Sequence, residues 1–159
     1  MPARLSAMNW PPQILYHYPC PDGVFAALAA HLSFSVTAQK VIWVPNAVFA
    51  PRQVNDLQLQ AGQTLYMLDF AGPPGFAKAV AEHGARVVVL DHHKTALELL
   101  NTTESQHPNL DAQIDMSRSG ATIALDYFKP EVLICSIMSG FTVLADICCA
   151  GKPGATNNL

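Results

Sequence analysis

Short apolar runs, each closed by a polar, charged or proline residue, alternate along most of the chain with stretches whose apolar positions recur at helical spacing. The first run, 13–18, reads as a strand and the alanine- and leucine-rich stretch 23–32 as the helix after it, with a polar loop over 17–23 between them. Residues 41–44, closed by Pro45, and 64–68, closed by Asp69, predict the second and third strands. The next helix is predicted over 73–83: Pro73 and Pro74 occupy its first turn, Phe76 and Val80 share a face, and Gly84 ends it. A strand over 86–90, a short helix over 94–100, a strand over 110–116 and a helix over 119–128 complete the series. In the last of these Ala121, Ala124, Leu125 and Phe128 form one apolar face.

Val87, Val88, Val89 and Leu90 form an uninterrupted apolar run, the signature of a strand buried on both faces. Together with repeated βα alternation, this run predicts an α/β fold: a parallel sheet in a three-layer α/β/α, Rossmann-like arrangement with right-handed crossovers. One domain is expected over 13–130, and 131–159 is expected to be an atypical apolar segment with a polar tail rather than a second domain. Within that segment 132–150 is almost wholly apolar, interrupted by Ser136, Ser139, Gly140 and Asp146. A membrane span needs about 20 apolar residues and would bury Asp146 at a cost of roughly 2.5–3.5 kcal/mol, so a buried helix or strand pair is the expectation and a membrane partner is not favoured.

Composition narrows the function classes. A chain of 159 residues, half of them hydrophobic, can bury a core. Its formal charge of -3 disfavours the extended basic surface that duplex DNA requires. The cysteines, Cys20, Cys135, Cys148 and Cys149, form no CxxC pair and no disulfide framework, and 1–12 lacks the apolar core of a signal peptide, so a reducing, cytoplasmic location is expected.

The candidate chemistry lies just past the strands. Asp22, Asp69 and Asp91 each follow an apolar run, with His17 in the first loop and His92 and His93 directly after Asp91. In a parallel sheet the carboxyl ends of the strands share one edge, and ligands bind there. An aspartate after a strand is by itself a common cap or turn residue. Three such ends together, one bearing adjacent histidines, point instead to a metal site. Mixed carboxylate and imidazole donors suit manganese or a similar divalent ion, magnesium included. A carboxylate shared by two ions gives the arrangement that cleaves phosphate esters.

His17-Tyr18-Pro19-Cys20-Pro21-Asp22-Gly23, Leu68-Asp69-Phe70, Asp91-His92-His93 and Ser119-Gly120-Ala121, in that order, resemble the motifs of the DHH phosphoesterase superfamily across about residues 13–128. The resemblance implies that His17 ligates a first metal, that Asp22 and His92 ligate a second, and that Asp69 bridges both. It also implies that His93 faces the phosphate and that Asp91 orients an imidazole. Ser119 and Gly120, opening a helix, are candidate phosphate contacts, weighed against an ordinary N-cap, and Arg118 and Lys94 are further cationic candidates.

The chain departs from the family pattern where Cys20 stands at an expected carboxylate. Either it ligates metal, in which case sulfur shifts preference toward zinc or iron, or it is a turn residue. The family's later aspartate and second, smaller domain have no counterpart, since Asp146 lies in an apolar stretch, and the sequence after Pro130 reads as a truncated or alternatively spliced continuation. The expected function is metal-dependent hydrolysis of a phosphodiester or phosphomonoester, of a nucleotide or short oligonucleotide, by metal-activated water. The alternative is a truncated DHH-like module that binds metal or nucleotide without efficient turnover.

Overall fold

A computed structural model describes residues 10–102 and 106–129; the apolar segment, its tail, Asp146 and the later cysteines lie outside these residues. Five strands form one wholly parallel sheet in the order β2-β1-β3-β4-β5. They are β1 (Gln13–His17), β2 (Ile42–Asn46), β3 (Thr64–Leu68), β4 (Arg86–Asp91) and β5 (Leu110–Ile114). The helices are α1 (Pro21–Val36), α2 (Phe76–Glu82) and α3 (Lys94–Leu100), each between strands, and α4 (Gly120–Phe128) after β5. The expected three-layer α/β architecture is therefore present.

Alternation along the strands sorts the core into two layers. Leu15, Leu65, Met67, Val87 and Val89 face α2 and α3, packing with Phe76, Val80 and Ala96. Ile14, Leu68, Val88 and Leu90 face α1 and α4, packing with Ala26, Ala29, Ala30, Ile123 and Ala124. The small alanine face of α1 lets the helix approach the sheet closely. Phe34 of α1, Tyr66 of β3 and Phe128 of α4 meet at ring-centroid separations of 5.2 to 5.9 Å and close the far end of this layer. Each central-strand side chain such as Leu90, with no exposed surface, contributes about 1.5–3 kcal/mol by burial.

Several element boundaries differ from the sequence expectation, each for a local reason. α1 starts earlier, at Pro21, because proline at the first helical position loses no hydrogen bond. α2 starts later, at Phe76: Gly75 takes a left-handed conformation (φ 79°) and holds Pro73 and Pro74 in the turn before the helix. β2 continues through Pro45 to Asn46, which an edge strand tolerates because proline's missing N–H breaks no inner ladder. β4 extends to Asp91, and β5 stops at Ile114 rather than running to Met116. A 3-10 turn over Val54–Leu57 was not expected from the pattern. Among the described residues no helix is long and apolar enough to cross a membrane.

Candidate metal centre

Register determines which residues meet. His17 ends β1 opposite Asn46, and Asp91 ends β4 opposite Ile114. Asp69 follows β3 directly, and its backbone N–H donates to the Leu90 carbonyl at 2.8 Å, holding it beside the end of β4. Its φ of 57° lies in the left-handed region, where aspartate is one of the few tolerated side chains. The turn therefore aims a carboxylate across the sheet edge instead of continuing the strand.

Around Asp69, which is only 1% exposed, the imidazoles converge. His17 Nδ1 donates to Asp69 Oδ2 at 3.0 Å. His92 Nε2 lies 3.2 Å from Asp69 Oδ1 and 3.2 Å from Asp22 Oδ2, and His93 Nδ1 lies 3.7 Å from Asp69 Oδ1. Asp91 Oδ1 accepts three hydrogen bonds: from the His92 backbone N–H at 2.7 Å, the His93 backbone N–H at 3.3 Å and His93 Nδ1 at 2.6 Å. With Nδ1 so engaged, Nε2 is the His93 ring nitrogen left for another partner.

Among the described residues two groups of donor atoms could each hold a metal ion: Asp69, Asp91, His92 and His93, and His17, Cys20 and Asp69, the atoms of each lying within 4.8 Å of one another. Asp69 belongs to both. The fit to a cation is supported by two orphaned atoms, since Asp69 Oδ1 and His92 Nε2 are buried and lack a hydrogen bond of proper geometry although they lie 3.2 Å apart. Buried polar atoms are normally satisfied, and an exception at a converging carboxylate and imidazole is what a cation position leaves behind.

The electrostatics agree. Burial opposes ionisation of Asp69, yet contacts from His17 and His92 and the nearby His93 outweigh it and hold the carboxyl far below its usual range. The Asp22 contact, followed by that of Asp69, pushes the His92 imidazole up to about 10 against the effect of its burial. Burial raises the Cys20 thiol; the backbone N–H of Gly23 draws it down, and the charge on Asp69 adds to the rise. Negative charge thus concentrates at this edge and attracts protons in the absence of another cation.

Asp22 and the Ser119-Gly120-Ala121 segment engage each other. Asp22 Oδ2 accepts from the Gly120 N–H at 2.9 Å and Asp22 Oδ1 from the Ala121 N–H at 2.7 Å, so the anion at the start of α4 is this carboxylate. Ser119 is the N-cap, its hydroxyl accepting from the Thr122 N–H at 3.2 Å. Arg118 donates through Nη2 to the Thr122 carbonyl at 2.8 Å and pairs with Asp126 at 2.7 Å. Lys94 pairs with Glu98 at 3.4 Å on an exposed face.

Two glycines are required by close approach. A Cβ on Gly23 would collide with the His17 carbonyl, and one on Gly120 would lie 2.8 Å from Asp69 Oδ1. The sequence pattern did not mark this role for Gly120, nor did it mark Asn46, which is fully buried beside His17 and accepts the Arg52 N–H at 2.9 Å. An asparagine following proline at a strand end was the available signal. A cavity of about 180 Å³ adjoins the centre, with His17, Asp69, Asp91 and His93 on its polar side and Val48, Phe70 and Leu99 among its apolar walls. No protein-family model matches the chain, and no curated protein matches it.

Proposed function

We propose that this chain is a metal-dependent phosphoesterase of the DHH type, cleaving a phosphodiester or phosphomonoester of a nucleotide or short oligonucleotide. The observation that carries the reading is the position of Asp69, one buried carboxylate common to two groups of ligand atoms, with one of its oxygens orphaned against His92. Asp69 and His92 offer oxygen and imidazole donors suited to manganese or magnesium, and Asp69 with His17 offers the neighbouring position. Bound divalent ions supply a hydroxide nucleophile at neutral pH and neutralise the phosphoryl oxygens.

The chain's own residues have distinct tasks in this reading. Asp91 fixes the His93 ring through Nδ1 and leaves Nε2 to meet the phosphoryl group from the cavity wall. Asp69, held at the end of β3 by its bond to the Leu90 carbonyl, positions the two ligand groups relative to each other. The cavity is smaller than the roughly 300 Å³ at which drug-sized ligand pockets begin, so it receives one compact substituent of the ester, not a whole nucleotide.

The test is hydrolysis of bis-p-nitrophenyl phosphate with manganese. Parent protein should turn over, and Asp69→Ala and His92→Ala should not; equal rates in parent and variants refute the assignment. A second reading, a metal-binding module without efficient turnover, is favoured by Asp22, whose oxygens are engaged by the Gly120 and Ala121 N–H groups. Metal binding by calorimetry without any hydrolysis would select it.

A further inference from the structure

We infer that His17, Cys20 and Asp69 form a thiolate-containing cation position that prefers zinc, iron(II) or cobalt(II) to manganese and magnesium. The inference deepens the metal-centre reading and does not depend on phosphoester hydrolysis. Cys20 sits at the N-cap of α1 with extended backbone (φ -93°, ψ 129°), a position where serine, threonine, aspartate or asparagine would cap the first turn. The Cys20 side chain makes no capping hydrogen bond. A thiol is a weaker acceptor than the oxygens of those side chains, so capping by itself supplies no strong reason for cysteine here.

The site gives one. A sulfur, an imidazole nitrogen and a carboxylate oxygen lie within 4.8 Å of one another at the sheet edge, and the carboxylate is the buried Asp69, whose Oδ2 is 3.0 Å from His17 Nδ1 while Oδ1 is turned to His92 on the other side. With metal bonds of about 2.0–2.3 Å, small side-chain adjustments bring three such atoms onto one ion and leave a position open, the arrangement of catalytic zinc. Thiolate is the soft member of the set and selects against hard, oxygen-seeking ions. The second group, Asp69, Asp91, His92 and His93, contains no sulfur, so the two sides of Asp69 differ in the ions they favour.

Cobalt(II) is the probe. Parent protein titrated with cobalt(II) should develop a sulfur-to-cobalt charge-transfer band in the near ultraviolet, absent from Cys20→Ser and kept in His92→Ala. In competition calorimetry Cys20→Asp should move the zinc-to-manganese affinity ratio toward manganese by at least about tenfold. Serine is the better N-cap, so Cys20→Ser should melt no lower than the parent, which separates loss of the ligand from loss of the fold. A folded parent that binds cobalt(II) without the band, or Cys20→Ser with parental zinc affinity, overturns the inference. If the parent hydrolyses phosphodiester without showing the band, the thiolate position fails and the phosphoesterase reading stands. If the band appears without hydrolysis, the reverse holds.

Discussion

β3 and β4 each contain two regions governed by opposite rules. Over Leu65–Leu68 and Val87–Leu90 the strands are apolar, extended and paired, and the side chains Leu65, Met67, Leu68 and all four of the β4 run have no exposed surface. One or two residues farther on, Asp69 adopts a left-handed backbone, carboxylates are buried at 1% exposure, and polar atoms are left unsatisfied. Such features each cost free energy, and they persist because the rigid strands behind them fix the backbone. The interior of these strands holds the fold together, and their ends use that rigidity to keep charges where an unconstrained chain would not.

Substitutions can break this contrast at either side. The largest loss of stability is expected for Leu90→Ala, about 2–5 kcal/mol by urea denaturation with no cation added, since it opens a cavity between β4, α1 and α4. Asp69→Asn should act on the cation instead: the metal-induced rise in melting temperature abolished and affinity down by more than about 100-fold in calorimetry. A parent whose melting does not respond to divalent cations would erase the distinction between the two regions. Gly120→Ala is expected to weaken cation binding about 10-fold, because the added methyl group must displace Asp69 Oδ1 from 2.8 Å. Smallest is Ser119→Ala, which should cost about 1 kcal/mol through loss of the α4 cap and leave cation affinity unchanged, a pair of results that denaturation and calorimetry would check together.

The same contrast explains what was legible in the sequence. Apolar runs ended by Asp69 or Asp91 marked the strands, and the strand ends marked His17, Asp69, His92 and His93 as neighbours, which they are. The order of the strands, with β1 between β2 and β3, carries no local pattern, because it depends on crossovers over the whole chain. Pro45 read as a stop because pattern alone does not distinguish an edge strand from a central one. Asp22 stood out by its place after β1 and the resemblance implied a ligand, but its hold on the α4 N–H groups depends on two helices packing side by side. Gly120 read as a candidate phosphate contact or part of an ordinary cap, and it is the approach of Asp69 that requires a glycine there.

The Asp22 contact has a consequence for how the protein is assembled. It joins the first turn of α1 to the first turn of α4 across 98 residues of chain. Contacts of such separation form late, since the intervening loop entropy must first be overcome. A chain synthesised only as far as β5 would already carry His17, Asp69, Asp91, His92 and His93 but would leave Asp22 without these two donors. Completion of the charged edge is therefore coupled to docking of α4, the last described helix, and the centre reaches its described geometry only after both outer layers are in place.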